Sequence, residues 1–246
     1  MRPVRRASPA SQATGSWTAG AVLTIALPTL LAMGPTPQAP PNTLTTDERA
    51  AGWHLLFDGV TMDQWRAFRH PDARTGWQVQ DGTISLVPAD LITRDQFADF
   101  EFAFDWKLVR RGGNSGVMFR AVEGRAETYH SGPEMQLLDN AGHDDGKVPE
   151  TSVGANYALH APARDASKPI GEWNAARIVA DGAHVEHWLN GQKVVEYELW
   201  TPDWAARVAA SKFRAWPQYG QARRGHIVLQ DHGNAVAFRN LKIRVR

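Results

Sequence analysis

Between residues 97 and 107 the side chains of Phe100, Phe102, Phe104 and Trp106 alternate with Glu101, Ala103, Asp105 and Lys107. A two-residue period sends successive side chains to opposite faces, so the run fits a β-strand with one apolar face and one face turned to water. A face carrying three phenylalanines and a tryptophan needs an equally apolar layer to cover it. The solvated opposite face marks the sheet as antiparallel. Turn signals then recur along the chain. Asp81-Gly82 separates Gly76–Gln80 from Thr83–Val87, and it suits a type I′ hairpin because glycine accepts positive φ. Trp173–Ala180, Ala183–Leu189 and Lys193–Tyr197 read as a meander turned at Asp181-Gly182 and Asn190-Gly191. Thr201–Lys212, alanine-rich and opening on Pro202, is the main predicted helix, with a short polar one over Thr46–Ala51. No βαβ alternation is present. These features predict an all-β fold, a single sandwich of two antiparallel sheets with one short helix, spanning residues 51–246.

The 246-residue chain is 43% hydrophobic, enough for a large core. Its formal charge is +1, which carries no electrostatic footprint for nucleic acid or an anionic membrane surface. It has no cysteine, so disulfides, thiolate metal ligands, a cysteine nucleophile and a lipidated cysteine are excluded. Ten tryptophans suit both a sandwich core and sugar platforms. At the start, Arg2, Arg5 and Arg6 precede the uncharged stretch Ala19–Gly34, which is too short and Pro-interrupted for a stable membrane span. Residues 1–34 are therefore expected to be a signal peptide and 35–50 a Pro-rich linker, with the mature domain exported to the periplasm or secreted. Arg5-Arg6 permits a twin-arginine route, although Ala7-Ser8-Pro9 departs from that pattern. An uncleaved N-terminal anchor is the alternative, and mapping the mature N-terminus separates the two.

Two strand-like segments carry polar groups on one face. In PEMQLLDN, Glu134 and Gln136 lie opposite Met135 and Leu137; in GHIVLQDHG, His226, Val228, Gln230 and His232 lie opposite Ile227 and Leu229. Such faces suit a hydroxyl-rich ligand. Glu134 is the leading acid–base candidate, against the plainer reading of a solvated strand glutamate. Alternation in Ser115–Ala121 puts Arg120 opposite Val117 and Phe119, as a guanidinium that orients Glu134 or binds a ligand oxygen. Asn114 and Ser115 in GGNSG also have a turn explanation, and His187 shares a face with Val185 and Leu189, as a core histidine would. Asp139 and His143, or Glu134 with one or two histidines, have spacings compatible with a divalent cation. Lys212 is either a helix-end surface lysine, a carboxylate partner or, if desolvated, a base. The polar stretch Asn140–Ser152 reads as a long loop bordering a ligand. GxSxG, P-loop, HExxH and dinucleotide GxGxxG patterns are absent, so a redox step falls to a different protein.

Six segments occur in register: GWHLLFDG with Trp65, GGNSGVMFR, PEMQLLDN followed by His143, GEWN, VEHWLNGQKVVEYE, and GHIVLQDHG with FRNLKIR. Together they resemble the 3-keto-disaccharide hydrolase domain family over residues 51–246. The resemblance implies a concanavalin-like jelly roll and cleavage of a glycoside whose sugar carbon 3 has been oxidised by a separate sugar 3-dehydrogenase. It implies a catalytic set drawn from Glu134, His187, His232 and Arg120, with Gln136, Gln230, Asn114, Ser115, Asp139 and Lys212 contacting the carbohydrate. Carbonyl stabilisation falls to Arg120 or to a bound divalent cation, and the choice of base stays open. The competing class is a noncatalytic carbohydrate-binding module on the same sandwich.

Overall fold

The computed structural model describes residues 39–69, 77–85 and 89–246. The expected signal peptide, part of the linker, and the outer ends of the strands predicted at Gly76–Gln80 and Thr83–Val87 lie outside the described residues. Residues 39–246 form one compact unit. It opens with the short helix α1 (Thr46–Ala50), whose Thr45 and Glu48 form a reciprocal capping box. The strands follow as β1 (Trp53–Leu55), β2 (Trp65–Ala67), β3 (Gln78–Gln80), β4 (Thr83–Ser85), β5 (Leu91–Thr93), β6 (Phe100–Leu108), β7 (Asn114–Ala121) and β8 (Glu134–Leu138). After the long loop come β9 (Asn174–Asp181), β10 (His184–Leu189) and β11 (Gln192–Glu198). Helix α2 (Pro202–Ala210), N-capped by Thr201, precedes β12 (His226–Leu229) and β13 (Val236–Val245). Among the described residues no helix is long and apolar enough to cross a membrane.

The larger sheet has the order β11-β10-β9-β6-β13-β4-β3, with β1 also paired to β13; the smaller is β2-β5-β12-β7-β8. Strand pairings within both are antiparallel. The architecture is the expected all-β sandwich. Between the sheets, Phe100, Phe102, Phe104 and Trp106 of β6 belong to the same buried cluster as Val117, Phe119, Met135, Leu137, Ile227 and Leu229 of the smaller sheet. In the Asp81-Gly82 hairpin both turn residues have positive φ, and so do Asn190 and Gly191. A type I′ turn requires that pair of left-handed residues.

The smaller sheet is covered on its second face as well, but unevenly. Met118, Ala121, Val228, Ile92 and Phe68 form a second apolar cluster, with Tyr129 packed against it. Along β7 the alternation is reversed near the end. His226 pairs with Ala121 but Val228 pairs with Met118, so β7 carries one residue more than β12 between those rungs. Arg120 has a positive φ at this bulge. One extra residue in the left-handed region turns the following side chains over, which is why Ala121 rejoins the cluster of Met118.

Candidate active site

Beside the second cluster, the outer face of β7, β8 and β12 is polar. It forms the floor of a pocket of about 360 Å³, lined there by Asn114, Glu134, Gln136 and Gln230. Lys212, Trp216, Tyr129 and Tyr157 make walls, and Asp90, Asp231, Glu127 and His232 complete the lining. Trp216 is held by a stack on His130, with ring centroids 4.2 Å apart. Tyr129 stands edge-on to both rings. Tyr157 donates to Asp145 Oδ2 at 3.0 Å, which ties the long loop after β8 to the pocket wall.

Glu134 is 5% exposed. Burial pushes its carboxyl up to about 8, with Lys212 opposing the rise and Asp90 and Asp145 adding to it. The Gln136 amide, oriented by its hydrogen bonds, donates to Ser115 O (2.9 Å) and to Glu134 Oε1 (3.1 Å). The Lys212 ammonium sits over the Tyr157 ring, 4.3 Å from its centroid. It also faces the Tyr129 and Phe213 rings, so three aromatic faces attract the cation. Loss of solvation lowers the pKa of Lys212, against the pull of Glu134 and Asp145. Asp90 accepts from Thr128 Oγ1 and, at 2.9 Å, from Asp231 N; burial raises its pKa. Two buried amide oxygens on the floor, Asn114 Oδ1 and Gln230 Oε1, have no hydrogen-bond partner among the described residues. A buried acceptor left unpaired is costly, and ligand hydroxyl donors would complete both.

Of the ten residues expected at a site, the fold brings together Glu134, His232, Gln136, Gln230, Asn114 and Lys212. Arg120, His187, Ser115 and Asp139 are placed elsewhere. The bulge diverts Arg120, whose guanidinium donates to Ala98 O (2.8 Å), Gly182 O (2.9 Å) and Asp99 Oδ1 (3.0 Å), so it orients Asp99 and not Glu134. His187 is a fully buried core residue whose Nδ1 meets Gly154 O at 3.1 Å. Burial lowers its pKa to about 4, so it is neutral at physiological pH. The Ser115 hydroxyl donates to Gln230 O at 2.8 Å and holds the chain just beyond β12. Asp139 accepts from Gly112 N (2.8 Å) and Ala141 N (3.2 Å) and lines a different cavity of about 270 Å³.

Of the expected cation ligands, Asp139 and His143 do not come together with Glu134 at the pocket. His143 Nδ1 accepts from Asp145 N at 3.1 Å, and neither His143 nor Asp139 lines the pocket. Among the described residues, the one group of three histidine and carboxylate side chains with ligand atoms within 4.8 Å is His184, Glu186 and Glu196 on the larger sheet. Lys193 already occupies that group, at 3.0 Å from Glu186 and 2.6 Å from Glu196.

Asp90, Tyr129, Tyr157, Trp216 and Asp231 escaped the sequence reading because they lie in loops and turns, where no period assigns a face. Asp231 alone had a local signal, standing between Gln230 and His232.

A two-sheet all-β sandwich with a polar, aromatic-walled pocket on its smaller sheet belongs to the architecture shared by many carbohydrate-handling domains. The chain is a member of the 3-keto-alpha-glucoside-1,2-lyase-like domain family, whose model matches residues 52–244. It is 34% identical over 230 residues to a 3-keto-disaccharide hydrolase of Bacteroides thetaiotaomicron, covering 80% of this chain and 79% of that one. Among solved structures, a candidate glycosyl hydrolase from Parabacteroides distasonis superposes with a TM-score of 0.78 at 34% identity, covering 84% of this chain and all (100%) of that one. A second from the same organism gives 0.62 at 28% identity, covering 79% and 99%.

Proposed function

We propose that this protein is a glycoside-cleaving enzyme acting on glycosides that carry a ketone at sugar carbon 3. The observation that carries the reading is the pairing of one buried carboxyl, Glu134, with one pocket cation, Lys212, above a floor of amide groups. A ketone at carbon 3 acidifies the hydrogen on carbon 2. Ionised Glu134, a stronger base than an ordinary carboxylate because of its raised pKa, takes that proton. The C–H electron pair delocalises onto the ketone oxygen, where the Lys212 ammonium stabilises the enolate charge. When the ketone re-forms, carbons 1 and 2 become doubly bonded and the bond from carbon 1 to the glycosidic oxygen breaks. His232 at the pocket supplies the proton that the leaving oxygen needs. Water then adds at carbon 1 of the enone, losing a proton to His232, while Glu134 returns its proton to carbon 2, so the sum is glycoside plus water to 3-keto sugar plus alcohol. Only one carboxyl is required, unlike the carboxyl pair of ordinary glycosidases. Asn114 and Gln230 accept from sugar hydroxyls, and Trp216 provides an apolar wall for the ring.

On this reading the substrate is supplied by a separate sugar 3-dehydrogenase, and residues 1–34 direct export. The test is product release from a 3-keto disaccharide and a 3-keto aryl glucoside, each beside its unoxidised parent. Cleavage of the keto forms alone, reduced about 100-fold or more by Glu134→Gln, is the expected result. Glycan binding without turnover of any keto substrate would replace the enzyme by a binding module.

A further inference from the structure

The GGNSG segment holds three glycines, and they serve different ends. Gly112, at positive φ, is a turn glycine. Gly116 lies inside β7 without a positive φ, so its backbone makes no demand for glycine. What it provides is space. A methyl group built on Gly116 would overlap Glu134 Oε1 and lie 2.7 Å from Cδ and 2.8 Å from Cγ. Three successive atoms of the glutamate therefore rest against the backbone of Gly116. The strand register produces this contact: Gly116 pairs with Gln136 and Met118 with Glu134, so the glutamate lies diagonally across the ladder from the glycine. Gln136 then holds the carboxyl from the side through its 3.1 Å hydrogen bond to Oε1.

We propose that Gly116 is a positioning residue whose missing side chain forms the seat of the Glu134 carboxyl, so that any side chain at 116 drives the carboxyl off the floor and into solvent. The inference rests on the reading of Glu134 as the proton-transfer group, but its physical content does not depend on turnover. A seated carboxyl is dry and titrates high; an expelled one is hydrated and titrates like an ordinary glutamate.

The experiment is a ¹³C-carboxyl NMR titration of Glu134 in the wild type and in Gly116→Ala, with the resonance identified by its loss in Glu134→Gln. The expected result is a fall of at least one pH unit in the Glu134 midpoint, with a lower kcat and a smaller change in KM. An unmoved midpoint overturns the seat whether or not the protein is active. If no variant cleaves a 3-keto glycoside while the midpoint still falls, the enzyme reading fails and the seat stands. Thermal unfolding covers a poorly folding Gly116→Ala. With Glu134→Ala already in place, adding Gly116→Ala leaves the melting temperature unchanged or raises it, since the clash is gone. A drop as large as in the wild-type background would show that the glycine serves the strand and not the glutamate.

Discussion

Glu134 has given up water for the backbone of Gly116 and one amide hydrogen bond, and this exchange leaves a mark on stability that can be measured apart from catalysis. The folded protein prefers the protonated carboxyl, with a pKa of about 8, whereas the unfolded chain ionises near the ordinary 4.5. Between those values the unfolded state binds fewer protons than the native one, so stability falls as pH rises through the window and levels off above it. The slope is at most about 1.4 kcal/mol per pH unit. Glu134→Gln removes the ionisation, so its stability relative to wild type should increase from pH 5 to pH 8 in urea unfolding. A constant difference would mean that the carboxyl is not desolvated. The glutamate was visible in the sequence because Met135 and Leu137 mark the apolar face of an unbroken strand. Its seat was not, because a glycine needed for space and one needed for a turn look alike in a Gly-rich motif.

Strand β7 shows where alternation stops being a guide. A period of two assigns faces only while each residue takes one rung, and the bulge at Arg120 breaks that condition. The guanidinium joins Ala98, Asp99 and Gly182, tying the approach to β6 to the β9–β10 turn. Arg120→Leu should therefore destabilise the protein by about 2–4 kcal/mol, because two carbonyls lose their donors, while kcat per folded molecule stays unchanged. Denaturant unfolding and active-site-normalised kinetics check both halves, and a selective loss of kcat would return Arg120 to the catalytic set. By contrast β6, β8 and the hairpins at Asp81-Gly82 and Asn190-Gly191 follow the sequence reading closely, since each has an uninterrupted period or a turn dipeptide with one preferred geometry.

The assembled pocket draws its floor from β7, β8 and the end of β12, and its walls from residues on the 3₁₀ turns near 129 and 212, the loop at 157 and Trp216. Its charges are unequal: Asp90, Glu127 and Asp231 stand against the Lys212 ammonium, and Glu134 adds to them only when it is ionised. A glycoside with a carboxylate or phosphate on the sugar meets like charge there. A 3-keto glucuronide is expected to show a KM about tenfold or more above that of the neutral 3-keto glucoside, equivalent to about 1.4 kcal/mol, with the gap narrowing as salt is raised. Equal KM values at low salt would show that the acidic lining does not face the sugar. Periodicity and turn chemistry by themselves determined the all-β class, most strand positions, the helix after Thr201, and the polar face holding Glu134 and Gln136, because those properties depend on neighbours within a few residues. Tertiary structure alone decided that Lys212 and not Arg120 is the pocket cation, and that Asp90, Tyr129, Tyr157 and Trp216 enclose the site. Those outcomes depend on strand register and on loops meeting across more than a hundred residues, as when Asp231 N reaches Asp90 Oδ1, and no local period encodes where such segments come together.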